Sequence, residues 1–431
     1  MASTRLTTLL VAITTLPSST MAAWGSSSTS PPPPPPSLFS DPSHYYDDIF
    51  FQTIIAVIIL SLTSLFIMTT GVKKERKRIE VVLVGCGMPK KSMGWYHLMQ
   101  LLEMKDQGVD VLGVVEPFFC GICKDVPGEF TKFRIEMEKD HGITFYGSPS
   151  ELPDLSPSTL CLLAGRTCDN PLYFEACLDK GAKCIYLEKP GAETVPQLER
   201  MKNLAQSRTV PCRVFVGFNK NVTPYVTKAL AFAAETPNSH INFVHNNSYT
   251  KEELGECFSR NSEGMLKNMA IHELCLLVSF YDVRVDTVFK IEADKAKSEK
   301  LTIDGVTDFA SVSFTVTTLA GASATVTADR CGGNVSYAIV NSSAPPNGKE
   351  IKRFEVPTPE EMEEIDAKIK ADADMMPYFF IQSKDYLKLK SDVINAFREG
   401  EAKAGNVATI EVAIEALKLA EFATRSLMRQ L

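Results

Sequence analysis

Several classes of protein are excluded by what this chain has little of. Long apolar runs are scarce: in 431 residues only the stretch 49–72 is long and apolar enough to span a bilayer, which excludes a polytopic transporter. An excess of basic charge is also missing. Lys plus Arg total 45 against 52 Asp plus Glu, a net charge of −7 with a pI near 5.6, so nucleic acid is not an expected partner. The cysteines number 11, odd and scattered from Cys86 to Cys331, unlike the even, dense set of a secreted disulfide framework, and are expected to be mostly reduced thiols. Cys120-Gly121-Ile122-Cys123 has no second Cys-x-x-Cys to complete a four-cysteine zinc site, and no metal site is expected. A redox pair would open a helix after a strand, whereas this one follows Glu116.

Acidic residues are absent from the first forty positions, which are rich in Ser and Thr and include the run Pro31 to Pro36. Polyproline is extended and cannot pack a core. Arg5 before the apolar Leu6 to Ile13, with small residues at Ala22 and Ala23, resembles a secretory signal, while the acid-free composition also suits an organelle transit segment. Residues 1–48 are therefore read as a disordered or targeting segment. The uncharged run Ile49 to Val72 follows Asp47 and Asp48 and precedes Lys73, Lys74, Arg76, Lys77 and Arg78. At about 1.5 Å per residue it can cross a ~30 Å hydrocarbon core, and its basic flank places the rest of the chain on the cytosol-like side. The expectation is a single-pass membrane protein of unassigned organelle. Asn-x-Ser/Thr sequons at Asn221, Asn246, Asn334 and Asn341 would count only if that domain were lumenal.

The whole chain has an ordinary globular composition, 45% hydrophobic and 23% charged, and at roughly 150 residues per domain its length suggests two or three domains. From Arg78 the pattern alternates. Val81 to Val84 is a buried strand stopped by Gly85; Tyr96 to Met104 reads as a helix; Val109 to Val115 is a strand ending at Glu116. A strand within Pro157 to Ala164, a helix over Asn170 to Lys180 and a strand over Ala182 to Leu187 follow. Such alternation predicts a first domain over 78–212 built on a parallel sheet covered on both faces. Over 213–431 the texture changes to a second α/β domain. Phe309 to Thr318 and Ala322 to Ala328 alternate as a hairpin around Gly321, Ile241 to Tyr249 and Val283 to Ala293 read as strands, and Ile410 to Ala420 keeps helical spacing. This predicts an open-faced antiparallel sheet, available for homo-oligomer contacts.

Gly85-Cys86-Gly87-Met88 follows a buried strand, where the first glycine permits a turn and the second lets backbone approach a pyrophosphate. The third glycine of GxGxxG would fall at Lys90. Gly94 instead precedes the helix, as if four residues were inserted, and Glu116 ends the next strand about twenty residues later, where an acid binds the adenosine ribose. An acid there favours NAD over NADP. The rival reading of GCGMPKKS (Gly85 to Ser92) as a P-loop lacks the glycine before the lysine, and no later strand ends in an Asp placed for magnesium.

GAKCIYLEKP (Gly181 to Pro190), VFVGFNKNVTPYV (Val214 to Val226) and GMLKNMAIHELCLL (Gly264 to Leu277), in that order after the glycine turn, resemble the Gfo/Idh/MocA oxidoreductases, the glucose–fructose oxidoreductase and inositol dehydrogenase family, over about residues 78 to 431. The resemblance implies a Rossmann domain joined to an open-faced α/β domain, and hydride transfer between a nicotinamide ring and a substrate carbon bearing oxygen or nitrogen. It implies that Glu188 and Lys189 lie at the cofactor, Lys189 also holding the substrate hydroxyl, and that His272 moves the hydroxyl proton. A histidine suits that task because its pKa lies near neutrality.

Three positions depart from the family. Asn268 stands where an Asp often precedes the histidine by four residues, Cys275 replaces the Asp three residues after it, and Gly165-Arg166-Thr167-Cys168 replaces a Thr-Pro-Asn loop. Asn268 and Arg166 are the expected substrate contacts, Arg166 matching a carboxylate or phosphate. The resulting expectation is a membrane-anchored NAD(P)-dependent oxidoreductase acting on a sugar, cyclitol or related polar hydroxyl or carbonyl compound. The alternatives are a non-catalytic NAD-binding sensor and an enzyme using NAD transiently in glycosidic cleavage.

Overall fold

The computed structural model describes residues 77–431, together with Val57. The expected membrane segment 49–72 and the targeting segment before it lie outside the described residues, Val57 excepted. Among the described residues no helix is long and apolar enough to cross a membrane.

The first sheet has seven strands: β1 (Ile79–Val84), β2 (Val109–Val115), β3 (Thr144–Tyr146), β4 (Thr159–Leu163), β5 (Cys184–Leu187), β6 (Arg213–Val216) and β14 (Ala408–Thr409). Their order is β14-β6-β5-β4-β1-β2-β3. All neighbours pair parallel except β14, which pairs antiparallel with β6. The central strands β4 and β5 are buried throughout, as continuous apolar runs in a sheet covered on both faces should be. Each such Val, Ile or Leu contributes about 1.5–3 kcal/mol relative to exposure. Helices α1 (Met93–Glu103), α2 (Gly128–His141), α3 (Asn170–Asp179) and α4 (Val195–Gln206) supply the crossovers.

The chain then crosses through α5 (Pro224–Glu235) to a second sheet of β7 (His240–Asn246), β8 (Val288–Ala293), β9 (Glu299–Ile303), β10 (Val306–Thr318), β11 (Ser323–Asp329), β12 (Ser336–Asn341) and β13 (Glu350–Glu355). Its order is β13-β12-β7-β11-β10-β8, with β9 on β10. The hairpin β10–β11 is present, but the expected all-antiparallel sheet is mixed: β11 pairs parallel with β7. A parallel pair needs a long crossover, and the segment carrying α6 (Leu254–Arg260), α7 (Met265–Asn268) and α8 (Ile271–Tyr281) supplies it. The expected strand Val283 to Ala293 begins only at Val288, because Asp282 closes α8 in a left-handed conformation and a turn follows.

The chain returns to the first sheet after α9 (Pro359–Ala371). Helices α10 (Pro377–Ile381) and α11 (Ser383–Glu399) contribute Phe379, Tyr386, Leu389 and Val393 to the core that also holds Val81, Leu83 and Leu98. The last helix, α12 (Ile410–Gln430), packs on α8, α4 and β8.

Candidate active site

The glycine turn is built by steric need. Gly85 sits at φ +84°, and a Cβ there would lie 2.6 Å from Gly165 Cα, so the turns after β1 and β4 touch through their glycines. Gly87 sits at φ +68°, with Ser92 Oγ 2.4 Å from where its Cβ would be. Gly94, inside α1, has Gly85 O only 1.8 Å from a built Cβ. It occupies the close-packing place between helix and turn, while Lys90 takes a left-handed conformation at φ +61°. The four residues 88–91 form a turn that docks the C-terminal segment: Lys90 O accepts from Met376 N–H at 3.3 Å and Lys90 Nζ pairs with Asp372 at 2.8 Å.

Glu116 is buried at the end of β2. Its Oε2 accepts from Gly87 N–H at 2.6 Å, and its Oε1 from Phe118 and Phe119 N–H at 3.1 and 3.3 Å. Met88 N–H donates to Ser92 Oγ at 2.9 Å, and Cys86 is buried beneath the turn. A backbone cradle that no Cβ could enter, with an acid at the adjacent strand end, fits a dinucleotide with a free ribose 2′-hydroxyl.

Glu188 follows β5 and is buried. Its Oε1 lies 2.9 Å from His97 Nε2 and accepts from Tyr186 OH at 3.0 Å. Gly217 gives it room, since a Cβ there would stand 2.6 Å from that same oxygen. Burial alone would raise the Glu188 carboxyl, but His97, Lys189 and Tyr186 outweigh it and hold the pKa below the usual range. Lys189, half-buried, precedes Pro190 through a cis peptide bond. No hydrogen bond reaches its ammonium among the described residues; burial lowers its pKa against the opposing charges of Glu188, Glu273 and Glu263.

His272 lies in the first turn of α8, buried, with Phe218 and His245 ring centroids at 5.8 and 6.1 Å. Its Nδ1 is buried without a hydrogen-bond partner. Burial, then the charges of Lys189 and Lys220, push its pKa well down, so the ring is neutral. The next residue, Glu273, is fully buried and organises the floor. Lys220 Nζ donates to its Oε1 at 2.5 Å and to Ser336 Oγ at 3.0 Å, while His245 Nδ1 lies 3.1 Å from its Oε2. Burial would raise the Glu273 carboxyl; Lys220 and His245 bring it down to about 2.

The other expected site residues are bonded to neighbours of their own. Asn268 ends the short helix α7, and a turn at Met269–Ala270 separates it from α8, so it does not share a continuous helical face with His272. Its Nδ2 donates instead to Glu263 Oε1 at 2.7 Å. The Arg166 side chain is 80% exposed and paired within its own loop, Nε to Asp169 Oδ2 at 2.9 Å. Cys275 Sγ contacts Asn221 Oδ1 at 3.5 Å, and burial pushes its thiol up to about 12. Burial likewise raises Cys120, the wrong direction for a reactive thiol. All 11 cysteines are free, and among the described residues no cluster of ligands could hold a metal. Asn221 is buried and donates to Ser279 Oγ and Asn406 O, so this sequon cannot carry a glycan in the folded chain.

Lys220, His245, Glu273, His97 and Lys390 carry much of the site's electrostatics and were not singled out from sequence. The available signals were adjacency: Glu273 follows His272, Lys220 lies within the VFVGFNKNV segment, and His97 is three residues beyond Gly94.

No protein-family model matches the sequence, and no curated protein matches it either. Solved structures do. A probable dehydrogenase from Thermotoga maritima aligns with a TM-score of 0.58 at 15% identity, covering 82% of this chain and 98% of its own. A myo-inositol dehydrogenase from Lactobacillus casei, in complex with NAD(H) and myo-inositol, aligns with a TM-score of 0.56 at 16% identity, covering 82% and 96%. A scyllo-inositol dehydrogenase from the same organism, with bound NAD(H) and scyllo-inositol, gives 0.58 at 13%, covering 82% and 98%. The shared architecture is that of the Gfo/Idh/MocA fold, as the motifs suggested.

Proposed function

We propose that this chain is an NAD-dependent oxidoreductase that passes hydride between the nicotinamide ring and a carbon bearing a hydroxyl or carbonyl in a cyclitol or related sugar-like compound. One observation carries the reading. The Lys189 ammonium and the neutral His272 imidazole make no hydrogen bond among the described residues, while the acids beside them, Glu188 and Glu273, are already bonded. A polar substrate oxygen satisfies both groups at once: Lys189 donates to it, and neutral His272 accepts its proton as the alcohol is oxidised. The bound nicotinamide dinucleotide supplies the hydride acceptor. Gly85, Gly87 and Glu116 hold its phosphates and ribose, with Cys86 and Met88 shaping the turn between them. The fold and bound ligands of the inositol dehydrogenases favour the cyclitol class.

The test is spectrophotometric. Full-length protein with NAD and a panel of inositols and sugars should generate NADH absorbance with at least one substrate. NADH binding without turnover across the panel would favour the sensor reading, for which the bonding of Asn268 to Glu263 rather than to His272 is the supporting observation. Absence of dinucleotide binding removes the oxidoreductase reading.

We also infer from the sequence that segment 49–72 anchors the protein, with the catalytic domain on its basic, cytosol-like flank. Resistance to alkaline extraction from membranes tests the anchor. Glycosylation at the exposed Asn334 in the native cell would place the domain in the lumen.

A further inference from the structure

A buried polar chain links helix α11 to the Glu188-Lys189 motif. Lys390 Nζ lies 2.8 Å from His97 Nδ1, His97 Nε2 lies 2.9 Å from Glu188 Oε1, and Tyr186 OH donates to the same oxygen. Lys390, His97 and Tyr186 are each at most 2% exposed and Glu188 is 8% exposed. An ammonium has no lone pair, so it can only donate. With Lys390 charged, Nδ1 must accept and the ring proton must sit on Nε2, aimed at the Glu188 carboxylate. Glu188 then receives two donors and is held in one place. Replace that donor with an apolar group and Nε2–H still faces the carboxylate, but Nδ1 is left buried without a donor and the ring loses one of the two bonds that fix it.

We propose that Lys390 is a positioning residue for the candidate site: it anchors the His97 ring through Nδ1, and His97, as the Nε2–H tautomer, in turn fixes Glu188 and the adjoining Lys189. The proposal rests on the reading of Lys189 as a substrate-facing group. The device is conditional on pH. Burial brings Lys390 down to about 7, against the opposing charges of Glu188 and Glu103. Its neighbours are His97 and Glu103 on α1, Glu188 after β5, and the Tyr386 ring 5.5 Å away on its own helix. His97 itself, lowered to about 4 by burial and by Lys390, stays neutral across this range. A neutral lysine amine is a weaker donor than the ammonium, so the anchor weakens as pH rises through about 7.

The test labels the six histidines of the full-length chain with 15N and reads the His97 ring-nitrogen shifts in wild type, Lys390→Met and Lys390→Gln. The His97 signals are assigned by their loss in His97→Gln. Wild type should show Nε2–H and a hydrogen-bonded Nδ1 at pH 6, with the Nδ1 shift moving toward that of an unbonded ring nitrogen as pH rises. Lys390→Met should keep Nε2–H but show the unbonded Nδ1 shift at every pH. Lys390→Gln, with an amide donor but no charge, should restore the hydrogen-bonded Nδ1 shift more fully than Lys390→Met. In turnover, Lys390→Met should lower kcat about tenfold, the worth of one positioning hydrogen bond, with little change in NADH affinity, and Lys390→Gln should recover part of it. Nδ1–H in wild type at pH 6, or Lys390→Met indistinguishable from wild type in both Nδ1 shift and kcat, overturns the proposal. Should neither variant fold, the wild-type titration decides. A wild type that binds no NADH refutes the oxidoreductase reading, and the spectra still judge the Nδ1 anchor by themselves.

Discussion

Replacing Gly94 with alanine should damage both the fold and the dinucleotide site, while the same change at Gly128 should do neither. A Cβ on Gly94 would stand 1.8 Å from the carbonyl oxygen of Gly85 and 2.8 Å from Cys86 Cα. Non-bonded heavy atoms rest about 3.5 Å apart, so α1 must retreat from the turn by roughly 1.7 Å. The obstacle is backbone, and no side chain can swing aside to relieve it. Overpacking of this kind costs about 1–3 kcal/mol and occasionally more. In a chain of this size that corresponds to a Tm lower by roughly 1–4 °C. The same retreat displaces Gly87, whose N–H holds Glu116 Oε2 at 2.6 Å, so NADH binding should weaken by at least tenfold. Gly128, at the start of α2, has nothing within 4 Å of a built Cβ and no positive φ. Alanine there should be neutral or stabilise by up to about 1 kcal/mol through helix propensity. Circular-dichroism melts and NADH fluorescence titrations of both variants provide the measurement. A Gly94→Ala protein that melts and binds like wild type would refute the claim that this glycine closes the helix onto the turn.

Three further outcomes follow from the site. Lys189→Ala and His272→Ala should each lower kcat by about 10²–10⁴-fold while altering NADH affinity far less; an equal loss in both quantities would mark them as structural. Glu116→Ala should weaken NADH more than NADPH, narrowing the preference by on the order of tenfold, and a preference left unchanged in paired titrations would remove Glu116 from the ribose site. Stability should fall with acid in two stages. His97 is lowered to about 4, chiefly by burial, so its stabilisation is complete above the unfolded value near 6.5 and is lost as pH falls toward 4, about 3 kcal/mol in order of magnitude. Glu273, held near 2, adds a contribution that is complete above about 4.5 and lost below it, and Tm values that stay flat from pH 7 to 4 would contradict this.

The Rossmann half was legible because its signals are local. A buried strand such as Val81 to Val84 announces itself as an apolar run, and the glycines after it have a steric job fixed by the next few residues. The displacement of the third glycine to Gly94 could be read for the same reason. The second sheet was less legible in its pairing than in its strands. The hairpin β10–β11 is encoded by a turn, whereas the parallel pairing of β11 with β7 depends on where α6 to α8 carry the chain, which no local pattern reports. The break between α7 and α8 was likewise hidden, since GMLKNMAIHELCLL keeps helical character throughout. The most consequential omission was Lys390. It lies in an amphipathic helix among Lys384 and Lys388, both exposed in ion pairs, and only the return of α11 to the first sheet turns one of three lysines inward.

That inward lysine bears on the doubt raised by Asn268. A carboxylate beside the histidine would favour the imidazolium, and its loss would be serious if the site depended on a charged ring. The surroundings of His272 run the other way. Lys189, Lys220 and burial all disfavour a second positive charge, and the one carboxylate on the same helix, Glu273, is committed to Lys220 and His245. A neutral imidazole is the form that accepts a proton, which is what oxidation of an alcohol demands. Lys390 and Glu188 supply a second balanced pair, bridged by His97, on the other side of Lys189. With both acids occupied, Lys189 has no bonded partner among the described residues, and under the proposed function the incoming hydroxyl or carbonyl oxygen would complete it. Asparagine at 268 is compatible with such a site because the base it would have assisted is already held in its working form.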